Sequence, residues 1–102
     1  MKVIKQTTVR LWARKHPGAA PSLTSWLTLI KAANFKNFLA LREVYRSADL
    51  VRVASGRNVI VFNISGNNFR LVAAVHFNTQ RVFVLRFMSH AEYSKNRWKE
   101  TL

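Results

Sequence analysis

Apolar positions recur at helical spacing up to about residue 47 and alternate with polar ones after it. Met1 to Lys5, carrying Val3 and Ile4, predicts a short strand. A helix is expected from Thr7 or Thr8 to Lys15, with a hydroxyl as its cap and Val9, Trp12 and Ala13 as a partial apolar stripe. His16-Pro17-Gly18 ends it. The clearest element follows. Pro21 and Ser22 supply start signals, and Leu23, Trp26, Leu27 and Ile30 fall at i, i+3, i+4 and i+7, on one helical face. A third helix is expected over Asn37 to Tyr45, burying Phe38, Leu41, Val44 and Tyr45.

The second half reads as four strands: Leu50 to Val53, Asn58 to Ile64, Phe69 to Phe77 and Val82 to Met88. In the third of these, Phe69, Leu71, Ala73, Val75 and Phe77 share a face and Arg70, Val72, Ala74 and His76 the other. In the last, simple alternation puts Phe83, Leu85 and Phe87 on one face and Val82, Val84, Arg86 and Met88 on the other. The breaks Ser65-Gly66-Asn67 and Asn78-Thr79-Gln80 are too short for anything but antiparallel neighbours. The expected fold class is α+β: an antiparallel sheet of a short N-terminal strand and four C-terminal strands, with two to three helices on one face. Both faces of the last two strands carry apolar residues. The second face is therefore expected to form a concave, partly apolar surface with arginines set into it. One domain over residues 1–102 is expected, with no repeat or linker.

Charge changes the picture more than composition does. Seventeen Lys and Arg stand against four acids, for a formal net charge of +13. A domain this small and basic repels itself unless something anionic lies against it, and nucleic acid is the commonest such partner. An acidic protein and an anionic membrane are the alternatives. No run approaches the roughly 18 apolar residues that span a bilayer, and Met1 to Lys5 is not followed by the apolar core of a secretory signal. Cysteine is absent, which removes disulfides and thiolate chemistry and fits a reducing, cytoplasmic setting.

Candidate chemistry gathers in three segments: Asn63 to Arg70, Arg81 to Arg86 and Ser89 to Arg97. Arg70 and Arg86 interrupt apolar strands. A guanidinium offers five fixed donors and a permanent charge, suited to phosphate oxygens and to the charge that builds on a pentacoordinate phosphate. The alternative is a sheet-face arginine paired with a carboxylate or solvated; few acids are present to pair with. Ser89 to Lys95 brings together an imidazole, His90, a phenol, Tyr93, and an ammonium, Lys95. Histidine transfers protons near neutral pH, and tyrosine does so when nearby cations lower its pKa. The alternative there is a strand cap, a packed ring and a solvated lysine. His16 reads as a charge at a helix C-terminus, and His76 as part of the functional face or of a cross-strand pair. No His/Asp/Glu spacing suggests a metal, and four scattered acids disfavour a two-metal nuclease. No phosphate-binding loop or dinucleotide fingerprint occurs.

Three stretches carry a resemblance: Val61-Phe62-Asn63-Ile64-Ser65-Gly66-Asn67-Asn68-Phe69-Arg70-Leu71-Val72, Val82 to Tyr93 with its His90-Ala91-Glu92-Tyr93, and Tyr45-Arg46-Ser47-Ala48-Asp49. Together with Met1 to Ile4, Trp12, Lys15-His16-Pro17 and the Trp26 helix, they resemble the HigB-type toxins of type II toxin–antitoxin systems, within the RelE-like superfamily. The likeness covers nearly the whole chain. It implies a RelE-like fold and a metal-independent endoribonuclease, without cofactor, that cleaves mRNA by activating the 2′-hydroxyl beside the scissile phosphate. Many relatives act only on a translating ribosome. It also implies a cognate antitoxin of the HigA helix-turn-helix type. Asn63, Asn67, Arg70, His90 and Tyr93 fall on motif positions. Ser89 stands where threonine is usual, Ser94 replaces an aspartate and Phe69 a tyrosine, which removes a candidate phenol. The expected catalytic set is Arg70, Arg86, His90 and Tyr93, with Asn63, Asn67, Arg81, Lys95 and Arg97 on the RNA. A basic RNA- or ribosome-binding domain without cleavage, and a module for an acidic protein, are the rival readings.

Overall fold

The computed structural model covers residues 1–102. Its elements run β1 (Lys2–Ile4), α1 (Gln6–Lys15), α2 (Ala20–Ala32), α3 (Phe38–Val44), β2 (Asp49–Arg52), β3 (Asn58–Ile64), β4 (Phe69–His76), β5 (Arg81–Ser89) and α4 (His90–Ser94), with 3-10 turns at Pro17–Ala19 and Arg97–Thr101. The fold is α+β, around one five-stranded sheet in the order β1-β5-β4-β3-β2.

The helices follow the pattern that foretold them, with local departures. In α2 the residues Leu23, Trp26, Leu27 and Ile30 are all buried, because a stripe of that spacing turns toward the sheet as one row. Asn37 caps α3: its side chain accepts a hydrogen bond from the Ala40 amide at 2.9 Å. Helix α1 begins without the expected hydroxyl cap, on Lys5 in the left-handed region. Val44, expected inside, is exposed at the end of α3, where the chain leaves the core.

The expectation of an all-antiparallel sheet needs correction. The pairs β2–β3, β3–β4 and β4–β5 are antiparallel, but β1 runs parallel to β5 at the edge, with Lys2, Val3 and Ile4 opposite Arg81, Val82 and Phe83. Three residues are too few for alternation to specify direction. The chain leaves β1 directly into α1 on the helical layer, and that placement fixes it. The two short hairpins hold as read. Ser65 and Gly66 both take positive φ in the β3–β4 connection, the backbone twist that a tight hairpin needs.

The face pattern of β5 also needs correction. Ala73 lies opposite Val84, but Val72 lies opposite Arg86, so Leu85 is an extra residue in the strand. This bulge shifts every later side chain by one position. Phe87 turns toward the helices, and Arg86 turns to the other face, the one that Arg70 and Val72 occupy.

The sheet thus separates two cores. The larger joins α1, α2 and α3 to Val3, Ile60, Phe62, Leu71, Ala73 and Val82. On the opposite face Val53, Val59, Val61, Val72 and Met88 pack beneath Trp98. That face was expected to be a concave, partly apolar surface with arginines set into it. Instead the C-terminal segment lies across part of it, held by the Ala54 amide donating to the Lys99 carbonyl at 3.0 Å.

Candidate nucleic-acid interface

On the face away from α1–α3, two rows of side chains cross the strands. One runs Asp49, Val61, Val72, Arg86; the next runs Asn63, Arg70, Met88. Arg70 and Arg86 are therefore diagonal neighbours on β4 and β5, with backbones roughly 7–8 Å apart. Their head groups are held differently. Arg86 donates to the Leu85 carbonyl (2.8 Å) and to Thr101 Oγ1 (3.4 Å), which ties it to the C-terminal segment.

Arg70 points to the β3–β4 turn. Its Nη1 donates to the carbonyls of Asn67 (3.2 Å) and Phe69 (3.0 Å), and its Nη2 to Asn67 Oδ1. The guanidinium also lies over the ring of Tyr93, 5.5 Å from its centroid. Tyr93 in turn stacks on Trp98, with centroids 5.2 Å apart, and the Trp98 indole donates to the Tyr93 carbonyl at 3.1 Å. Turn, phenol and indole form a mount for one cation.

That cation is 7% exposed and has no carboxylate partner. The molecule's ion pair joins Lys95 to Glu92, at 3.6 Å and well exposed. All three acceptors of Arg70 are neutral. Burying a charge without an opposite one is costly, and an anion arriving at the remaining N–H donors recovers that cost. A phosphate suits the fork geometry.

The start of α4 is pinned to the same corner: the His90 amide donates to the Asn68 carbonyl at 2.9 Å. Ser89 caps α4 by accepting from the Glu92 amide (3.2 Å), and Ser94 Oγ donates to the His90 carbonyl (2.9 Å). His90 itself is exposed.

The tyrosine departs from its expected chemistry. Cations were to lower its pKa. Burial raises it above the ordinary phenol value, the nearby Asp49 carboxylate raises it further, and Arg70 opposes them without prevailing. Tyr93 is a neutral phenol near pH 7, a hydrogen-bond donor rather than a base.

The structure thus brings together Asn63, Asn67, Arg70, His90 and Tyr93, with Arg86 on the same face. Lys95 and Arg97 are exposed beyond α4. Arg81 does not join them. It lies opposite His76 and Lys2 at the far end of β5, roughly 25 Å from Ser89 at the usual strand rise. Sequence reasoning missed Trp98, Thr101 and Asp49. The signal for Trp98 was a large apolar residue in an otherwise polar tail; Asp49 closes the Tyr45 to Asp49 motif, but its effect on Tyr93 could not be read there, since only β2–β3 pairing sets it beside the Tyr93 face. His16, read as a charge at a helix end, is the C-cap residue of α1, and its ring lies edge-on to Phe69 and Phe87 at 5.4 and 5.3 Å. No three His, Asp or Glu side chains are grouped as metal ligands, and no helix is long and apolar enough to cross a membrane.

The chain is similar to the mRNA interferase HigB of Escherichia coli O6:H1 strain CFT073, at 30% identity over 95 residues, 93% of this chain and 90% of that protein. It is similar to the mRNA interferase toxin HigB of Escherichia coli K12 at 31% identity over 93 residues, 91% and 88% of the two chains. The mRNA interferase HigB of Shigella flexneri matches to the same extent. The family model of the HigB toxin, the RelE-like toxic component of a toxin–antitoxin system, matches residues 19–96. On the strength of that match and of these relatives, the chain belongs to the HigB toxin family.

Proposed function

We propose that the protein is the toxin of a type II toxin–antitoxin pair and acts as a metal-independent endoribonuclease on mRNA. The observation that carries this reading is the buried, carboxylate-free guanidinium of Arg70, mounted between Asn67 and Tyr93 at the turn whose Asn68 carbonyl accepts from the His90 amide.

The phosphate lies against Arg70, with Arg86 contributing charge from the neighbouring strand. His90 accepts the proton of the adjacent 2′-hydroxyl. That oxygen forms a bond to phosphorus as the P–O5′ bond breaks, and the leaving oxygen takes up a proton from water. The products are a 2′,3′-cyclic phosphate and a free 5′-hydroxyl. Tyr93, protonated, donates a hydrogen bond to the phosphoryl oxygens and keeps Arg70 aimed. Asn67 positions Arg70, and Asn63, Lys95 and Arg97 hold flanking nucleotides. Arg81, at the other end of the sheet, contacts RNA or ribosome only outside this corner. The net charge of +13 supports docking on ribosomal RNA, and membership of the HigB toxin family supports a cytoplasmic setting and neutralisation by an antitoxin of the HigA helix-turn-helix type.

Expression of Arg70→Ala and His90→Ala in a bacterium tests this. Each is expected to relieve growth arrest and to slow mRNA cleavage by about 100-fold or more, the usual consequence of losing one transition-state donor or proton carrier. Binding of translating ribosomes without any cut in the mRNA by the parent protein would instead support a non-catalytic RNA binder. Variants that fold normally and cut like the parent would remove Arg70 and His90 from the reaction.

A further inference from the structure

Around the open edge of β3 from Arg70, the groove between α2 and the β3–β4 turn holds a pocket of about 400 Å³. Its wall includes Ser22, Ser25, Trp26, Tyr45, Asn63 and Ser65, and not one of its lining residues is charged. In a chain with seventeen cations, a polar pocket without any stands apart. A phosphate has no counter-charge there. A neutral, flat group with edge donors and acceptors does find partners: hydroxyls, an amide and two aromatic side chains.

Two further observations point to a ligand. Trp26 is 3% exposed, yet its indole Nε1 has no acceptor, an unusual state for a buried N–H donor. The neighbouring Tyr45 hydroxyl donates to the Trp26 carbonyl at 3.3 Å and accepts nothing from that indole. Asn63 also belongs to both places. It lines this pocket and lies directly opposite Arg70 in the β3–β4 register, where paired backbones are about 4.5–5.5 Å apart. Strand β2 pairs only as far as Val61, so nothing in the sheet covers that edge of Asn63.

We infer that this pocket receives a nucleobase of single-stranded RNA whose neighbouring phosphate lies on Arg70, and so contributes to the choice of cleavage site. The inference rests on the RNA-cleaving reading above. The Ser22 and Ser25 hydroxyls on α2 present donors and acceptors to the base edge, and Asn63, at the uncovered edge of β3, joins the pocket to the Arg70 face. The uncharged walls exclude the phosphate itself, which keeps the strand in register.

Three tryptophans make the test direct. Trp26 reports the pocket, Trp98 reports the arginine mount through Tyr93, and Trp12 on α1 is a reference. The indole N–H resonances are followed by NMR while 2′-O-methyl trinucleotides of each of the four bases, which cannot be cleaved, are added. The expected result is a shift of Trp26 and Trp98, with Trp12 nearly still and one base binding tightest. Ser25→Phe, at an exposed position on the pocket wall, is expected to abolish the Trp26 shift and weaken binding about tenfold, the scale of one lost base contact. Movement of Trp98 alone overturns the pocket while leaving RNA on Arg70. No movement of either overturns both. An unchanged Trp26 shift and affinity in Ser25→Phe overturns the pocket as the base site.

Discussion

Tyr93 shows how one residue's chemistry is set by neighbours distant in sequence. Arg70 lies against its ring, Trp98 stacks on it and Asp49 adds negative potential. Because its pKa in the fold lies above the unfolded value of about 10, the proton stays on across the neutral range. Its contribution to stability is full below pH 10 and is lost as pH rises past that value. Tyr93→Phe keeps the ring beneath Arg70 and removes only the donor. A loss of cleavage of about tenfold is expected, with the pH–rate profile unchanged between pH 5 and 9. Loss of a limb from that profile would show that Tyr93 titrates during turnover. The motif alone names this tyrosine but leaves its protonation open, because burial and the Asp49 field come from strands that meet only in the fold.

At the scale of elements, the bulge in β5 and the C-terminal turn set the site. Leu85 is the surplus residue, and regular pairing that retained it would swing Arg86 toward the helical core. Deleting Leu85 keeps Arg86 opposite Val72 and Phe87 opposite Leu71. The variant is therefore expected to fold and to cut RNA, losing stability only through the half-buried leucine, about 1–3 kcal/mol. A disordered product by circular dichroism would mean that the bulge itself is required. Trp98 has the opposite weight. It is 6% exposed, covers Val53, Val59, Val61, Val72 and Met88, and backs Tyr93. Trp98→Ala is expected to cost about 3–5 kcal/mol in chemical denaturation, and to lower cleavage at temperatures where the protein is still folded. Unaltered activity there would separate the tryptophan from the mount. Alternation along β4 was legible because its faces differ consistently. The flip in β5 was not, since a bulge is a fact of pairing between two strands.

Across the whole molecule, charge is carried by a surface with almost no internal neutralisation, since the acids are few and Lys95–Glu92 is its ion pair. Affinity for RNA is therefore expected to fall steeply with salt. If Arg70, Arg86, Lys95 and Arg97 each meet a phosphate, the log–log slope for a single strand is about −3, and Arg97→Ala makes it shallower by roughly 0.7. Filter binding at several salt concentrations measures both. A slope near zero would mean that the cations serve some other partner.

The amino-acid order by itself determined the helical half and the strand half, the apolar stripe of α2, the two tight hairpins and the basic character. Each of these is a property of neighbours within a few residues, where spacing, capping and turn chemistry act. It also marked Asn63, Asn67, Arg70, His90 and Tyr93 through the motifs they sit in. The parallel edge pairing of β1, the turn of Arg86 to the Arg70 face, the closing of that face by Trp98 and the upward shift of Tyr93 were decided only by the tertiary structure. All four depend on which surfaces meet across long separations in the chain, and burial and electrostatic potential exist only once they have met.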